Sequence, residues 1–375
     1  TYHTDGAPAT ISWDKDGENF THQFNNYFRG AAREEIMADG TTIDRSINED
    51  GTLHWREDEL GHRTTFGYDI MGRVNSIDPP GGYSDTTIKW FEAGDNLTNV
   101  VERRGSYEKK EVYDSLARKR QLTESEVVLN GYVRSIFYDY DALGRRNFVS
   151  YPTSSSAYNA AGTYTEYDVL NRITEVRASS SGTSTKICYG PSCNEGRDGQ
   201  PQVGFGALSI DEQGFETIIN YKSYGEPSDL VPKEIYNQIS ANPNVYTLTT
   251  VESNQVNQIT KIINDGIERE FVYYPSGLLH KRIDPEVGES VFTYDELGNV
   301  KTKKVGTEPT VEFKTDSLNR TVEALYNDAD TNDVVFKYYD NGLIKSIDNG
   351  ISLLEYTYDA YRKLTGESLS IPSLN

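Results

Sequence analysis

The sequence predicts an all-β protein, a continuous spiralling sheet of antiparallel β-hairpin repeats, and three observations predict it. A short Tyr-Asp phrase recurs along the chain. The residues before it alternate between two sets, the period-2 signature of a strand. The 375 residues include 27 tyrosines against 2 methionines, with heavy use of Thr, Val and Ile. Aromatic and β-branched side chains fit a pleated, half-buried surface.

The phrase opens at Tyr68-Asp69 (YDIMGRV), Tyr113-Asp114 (YDSLARK), Tyr140-Asp141 (YDALGRR), Tyr167-Asp168 (YDVLNRI), Tyr294-Asp295 (YDELGNV) and Tyr358-Asp359 (YDAYRKL). Looser copies open at Tyr274-Pro275, Thr315-Asp316 and Tyr339-Asp340. In the C-terminal part the second residue falls at 275, 295, 316, 340 and 359, gaps of 20, 21, 24 and 19. Asp114, Asp141 and Asp168 are 27 apart, and Asp69 to Asp114 is 45, room for two shorter units. A recurring spacing of this size marks a repeat architecture.

Each position of the phrase has a mechanical reading. Before it, Val291 and Thr293 alternate with Phe292 and Tyr294, and Thr163 and Thr165 with Tyr164. Asp opens a turn, because its carboxylate accepts backbone N–H groups further along. Gly72, Gly144 and Gly298 supply the positive φ of the reversal, and Asn171 and Asn319 stand in for them. A second strand follows at once from Arg73, Arg172 or Asn299, and likewise after Gly144-Arg145. One hairpin is marginal alone, so several must stack.

Between these units lies a second kind of punctuation: Asp78-Pro79-Pro80-Gly81-Gly82, Asp284-Pro285-Glu286-Val287-Gly288, Glu49-Asp50-Gly51, Asn264-Asp265-Gly266 and Asp348-Asn349-Gly350. Two turn types alternate, and the chain reads as one long meander. Residues 1–375 form a single array: loosely matching over 1–60, clear over 61–185 and clear again over 271–375. Residues 186–270 lack the phrase and read either as degenerate repeats or as an inserted plug or binding loop. Asp211-Glu212-Gln213-Gly214 and Tyr221-Lys222-Ser223-Tyr224-Gly225 are candidates for worn copies. A short helix is expected over Ala31–Ala38.

YDxxGR phrases at about 20-residue spacing resemble the YD repeats of the Rhs family, whose members include bacterial polymorphic toxins, shell components of insecticidal toxin complexes and teneurins. The stretch RIDPEVGESVFTYDELGNVKTKK, Arg282 to Lys304, is especially similar. The resemblance implies a strip that winds into a hollow, cocoon-like or partial shell. Roughly 18 hairpins at this spacing would make one or two turns of it. It also implies a bacterial protein, secreted or at the cell surface. Many family members carry an autoproteolytic D-P-x-G-L segment; Asp78-Pro79-Pro80-Gly81 lacks the Leu, and the chain ends at Asn375 without a match, so no protease residues are expected.

The formal net charge of −21 argues against nucleic-acid binding, which needs a basic stripe to displace counterions. No apolar run approaches the roughly 18 residues that cross a bilayer. Thr1 begins no signal segment, so the chain reads as a mature product or a cut piece of one. Cys188 and Cys193 bracket a Gly-Pro turn and are either a local disulfide or two reduced thiols. Asp14-Lys15-Asp16-Gly17 and the acidic run Asp328 to Asp333 resemble calcium loops but fit no 12-residue pattern. Trp13, Trp55 and Trp90 could stack on sugars or sit in the core. No Ser-His-Asp order, phosphate loop or HExxH appears, and no cofactor or metal is expected.

The expected function is therefore non-enzymatic: a scaffold, part of a shell that encloses or presents a polypeptide cargo such as a toxin. Its partners would be that cargo or other shell segments of the same protein, and the charge favours a basic cargo. The alternative is a secreted or cell-surface adhesion module for glycans or proteins, and a glycosidase on a β-scaffold is the third reading.

Overall fold

The computed structural model describes residues 1–15, 17–94, 97–126, 132–179, 182–223, 230–241 and 244–371. Asp16 of the first acidic loop, Tyr224-Gly225 of the second worn copy, and Asn375 lie outside the described residues. The described residues form 31 strands and two short 3₁₀ turns, and all these strands belong to one antiparallel sheet. Every described ladder joins strands adjacent in the chain, from Thr10–Lys15 with Glu18–Asn25 to Leu353–Tyr358 with Leu364–Ser370.

Two expectations need correction. Ala31–Ala38 is not helical: Glu34–Ile36 is a strand, paired with Glu18–Asn25 on one side and Thr42–Ile47 on the other. Its Ala, Arg and Glu residues are good helix formers, but that preference is worth only tenths of a kcal/mol per residue, and ladder bonds on both edges outweigh it. The 31 strands also make at most 15 hairpins, fewer than the spacing implied. The difference goes into strands as long as Val231–Ala241 and Asn244–Ser253, with 11 and 10 residues, and into the loop after Tyr189.

The chain divides into two compact units: Thr1–Ile88, Tyr274–His280 and Glu289–Asn375 form the first, and Lys89–Tyr273 with Lys281–Gly288 the second. Of the twelve buried apolar residues described, the first unit holds only Ile43 and Ala324. It is therefore held by ladders, side-chain hydrogen bonds and ion pairs rather than by a core. The second unit has a true cluster, Cys193, Val203, Leu208 and Ile218, with Cys188, Ile210 and Tyr236 against it.

The accessible surface is large for the mass. It is 22622 Å², where a compact protein of this mass would expose ~15,000 Å² and two separate globules of half the mass ~18,000 Å² together. Strands Tyr107–Tyr113 and Lys119–Glu126 are half-buried along nearly their whole length, whereas Arg146–Ser150 and Val334–Tyr338 alternate.

Candidate interaction site along the turn edge

The Tyr-Asp phrase builds the same turn each time. Asp141 Oδ1 accepts from the backbone N–H groups of Leu143 and Arg145, both at 2.9 Å, and Oδ2 accepts from Arg145 Nε at 2.6 Å. Asp69, Asp114, Asp168 and Asp316 repeat this with Arg73, Arg118, Arg172 and Arg320. Asp295 does so with Asn299, whose Nδ2 donates at 2.9 Å, and Asp359 caps its turn through the N–H groups of Tyr361 and Lys363. The fourth residue turns with positive φ: Gly72, Gly144, Gly298, Asn171 and Asn319, and also Ala117 and Arg362. These bonds to the charged form lower the Asp69 carboxyl, chiefly through the Arg73 side chain. At Asp141 the same bonds, to Arg145 and Leu143, outweigh burial and lower it too.

The tyrosine ties each turn to the one before it. Tyr140 Oη donates to Lys119 O at 2.9 Å, Tyr167 to Arg146 O at 2.8 Å, Tyr294 to Leu279 O at 2.7 Å and Tyr68 to Leu53 O at 2.8 Å. In each case the acceptor directly follows the fifth residue of the preceding turn. The arginine at that fifth place lies over the incoming ring: Arg118 on Tyr140 at 4.9 Å, Arg145 on Tyr167 at 4.7 Å, Arg172 on Tyr189 at 4.1 Å and Arg320 on Tyr338 at 4.9 Å. Asp, Arg and Tyr thus form a clasp that runs hairpin to hairpin along one sheet edge.

In the first unit this edge is seated against hairpin tips of the N-terminal strands. Lys15, 6% exposed, donates through Nζ to Thr315 Oγ1, Thr315 O and Asp316 O and faces Asp295 Oδ2 at 3.8 Å. Arg320 meets Asp39 at 3.7 Å, and Arg362 meets Asp58 at 3.5 Å and Glu59 at 3.1 Å. The Tyr83 ring stands edge-on to Tyr361, 4.5 Å away, and the Asp359 carboxylate accepts its hydroxyl hydrogen bond and raises the phenol.

In the second unit the stretch that lacks the phrase folds a cap onto the sheet. Cys188 and Cys193 are joined as a disulfide. Asn194 Nδ2 donates to Val203 O at 2.8 Å and Asn194 Oδ1 accepts from Val203 N at 2.7 Å, closing the loop over Leu208 and Ile218. Arg197, nearly buried, pairs with Glu216, which also accepts from Tyr246 Oη at 2.5 Å. Burial would raise the Glu216 carboxyl, but these two partners hold it low. Within this stretch Asp211 builds a copy of the turn with Gln213 and Phe215. Beside the cap lies a cavity of about 440 Å³ lined by Tyr189, Pro191, Phe205, Tyr221, Leu230 and Arg172.

The clasp between Arg and the following Tyr escaped the sequence reading, although its signal was present: Arg118 to Tyr140 and Arg145 to Tyr167 are both 22 residues. The acidic loops serve the turns: Asp14 accepts from Asn19, and Asp328 accepts from the N–H groups of Asp330 and Thr331. Among the described residues no group of three or more His, Cys, Asp or Glu could hold a metal. Trp13 stacks on Phe20, and the Arg63 guanidinium covers Trp55 at 4.0 Å.

No protein-family model matches the sequence, and no curated protein matches it. Solved structures do. The crystal structures of TcdB2-TccC3-TEV, TcdB2-TccC3-Cdc42 and TcdB2-TccC3 resemble the chain with TM-scores of 0.72, 0.70 and 0.66 at 10%, 11% and 12% identity. Each match covers 97% of this chain but only 21%, 21% and 22% of the solved one, so the chain spans about a fifth of their length. The likeness shows the fold alone.

Proposed function

We propose that the chain is a non-enzymatic segment of an Rhs-type shell, secreted by a bacterium or held at its surface, whose sheet walls in a polypeptide cargo. The carrying observation is the single sheet. A sheet of 31 strands with 22622 Å² of accessible surface and few buried apolar side chains spends its sequence on enclosing area instead of a core. The engagement of every Tyr-Asp carboxylate described above in turn bonds supports a structural role, and the likeness to TcdB2-TccC3 supports the fold this role needs. At −21 the sheet favours a basic or unfolded cationic cargo.

A denatured, alkylated basic polypeptide with a fluorescent label tests this by anisotropy on mixing with the whole chain. Binding that weakens on going from about 50 to 300 mM salt is expected. No binding at either salt would overturn the cargo reading. The aromatic cavity beside the disulfide favours a second reading, glycan or side-chain capture on an adhesion module. Glycan-array binding lost in Phe205→Ala would move that reading to first place.

A further inference from the structure

The molecule shows one edge in two states. Where the Tyr-Asp edge is seated, in the C-terminal part of the first unit, the third residue of the turn is half-buried at Leu318 and Tyr361 and 37% exposed at Leu297, and two of the turn cations meet acids: Arg320 with Asp39, Arg362 with Asp58 and Glu59; at Asp69, away from that seam, Met71 is 73% exposed. In the second unit the equivalent residues are bare. Leu116 is 69%, Leu143 73% and Leu170 67% exposed. They repeat on neighbouring hairpins at ~10 Å intervals, two strand spacings, with Arg118, Arg145 and Arg172 beside them.

What covers this edge in the first unit is the opposite kind of tip. Asp58–His62 joins to the Tyr-Asp turn at Asp69 through the single strand Arg63–Tyr68, so the two lie at opposite ends of it. The first unit carries further tips of that opposite kind in its C-terminal part. They hold exposed acids, Glu308 before Val311–Thr315, and Asp330 and Asp333 before Val334–Tyr338. The chain therefore displays an open arginine- and leucine-bearing edge and an open acidic edge of the type that covers it.

We propose that the open turn edge at Leu116, Leu143 and Leu170 docks the acidic tips at Glu308, Asp330 and Asp333 of a second copy of this chain, head to tail. The internal seam supplies the precedent and the charges supply the match. Without such local complementarity two copies at −21 would repel. A heterologous contact of this kind leaves a free edge at each end and so permits longer chains of copies. The proposal stands on the seam and does not depend on the cargo.

Sedimentation velocity of the whole chain at physiological salt, between about 1 and 100 μM, tests it with two variants. Leu143→Glu/Leu170→Glu alters the turn edge and Glu308→Lys/Asp330→Lys the tip edge, and none of these side chains bonds within its turn. The expected result is association of the parent chain, a loss of at least about tenfold in each variant alone, and a 1:1 dimer that grows no further when the two are mixed. The lysine variant makes the net charge of −21 less negative by four, so general repulsion would predict more association for it, not less. A parent chain monomeric throughout, association unchanged in both variants, or variants that fail to pair on mixing would each overturn the proposal.

Discussion

Lys15 holds its ammonium 3.8 Å from the Asp295 carboxylate, with both side chains more than nine-tenths buried, and donates to the carbonyls of Thr315 and Asp316. The reason lies at Asn299. In the turn at Asp141 the fifth residue is Arg145, which bonds its own aspartate and reaches the next turn, at Asp168 O and Asn171 Oδ1, both 2.9 Å. The turn at Asp295 has the uncharged Asn299 there, which reaches Asn319 Oδ1 at 3.4 Å, and Lys15 brings the missing cation to the corresponding carbonyl of Asp316 from the first hairpin.

Removing that cation should be costly and partly curable in cis. Lys15→Met should cost about 1–3 kcal/mol, less than a wholly unpaired buried charge because Asp295 keeps Asn299 and two N–H donors. Asn299→Arg added to Lys15→Met should recover part of the loss. Urea midpoints of the four chains of this cycle measure it. Simple additivity, with no recovery, would mean that Lys15 and residue 299 are independent.

The hairpin strip was legible because Tyr, Asp, Gly and Arg each do a local job that fixes their spacing, as at Tyr140 to Arg145. The seam was not legible. Lys15 and Thr315 are 300 residues apart, and nothing in the local pattern of a Lys-Asp-Gly tip tells a solvated loop from a docked one. The cap after Tyr189 was half legible, since its Gly and Pro density marks a loop. The loop's closure, by contrast, rests on Asn194 and Val203, residues with no distinctive spacing.

Ala117 carries φ of 58° where its counterparts, Arg362 apart, are Gly or Asn. A left-handed alanine costs roughly 1–2 kcal/mol, and glycine returns part of the gain as unfolded-state entropy. Ala117→Gly should therefore stabilise by about 0.5–1 kcal/mol, whereas Gly144→Ala, at φ 82°, should destabilise by a similar amount. Paired thermal melts decide it, and a destabilised Ala117→Gly would refute the turn account.

Tyr140→Phe keeps the ring under Arg118 but deletes the bond to Lys119 O. The expected loss is about 1 kcal/mol. Tyr140→Leu should lose more, since the guanidinium then loses its aromatic partner. Equal effects of the two substitutions would show that only the hydroxyl matters in the clasp.

Reduction of Cys188–Cys193 should act locally. A loop this short contributes about 2 kcal/mol in the chain-entropy account. Cys188→Ser/Cys193→Ser should accordingly raise amide exchange at Val203 and Ile218, which lie under the cap. Exchange in the first unit should stay as it was. Unchanged exchange at Val203 would show that the Asn194 clasp alone holds the cap closed.

Acid should weaken the strip late. Asp69, Asp141, Asp168 and Asp295 are lowered from 3.8 by the bonds their turns make to the charged form, and Asp359 is lowered chiefly by the Tyr83 hydroxyl and then by its turn N–H groups. A depressed folded-state pKa gives stability that is complete above the unfolded value and is lost as pH falls through the folded one. From pH 7 to about 5 these groups lose nothing, while the approach to the isoelectric point near 4.7 relieves the repulsion of 58 carboxylates against 37 basic residues. Melting temperature should therefore hold or rise down to pH 5 and fall steeply below about 4. Asp141→Asn, starting from a lower melting temperature at pH 7, should show a shallower acid limb because one of the titrating turns is gone. A midpoint that already drops between pH 7 and 5 would show that other groups, not the turn aspartates, govern the acid response.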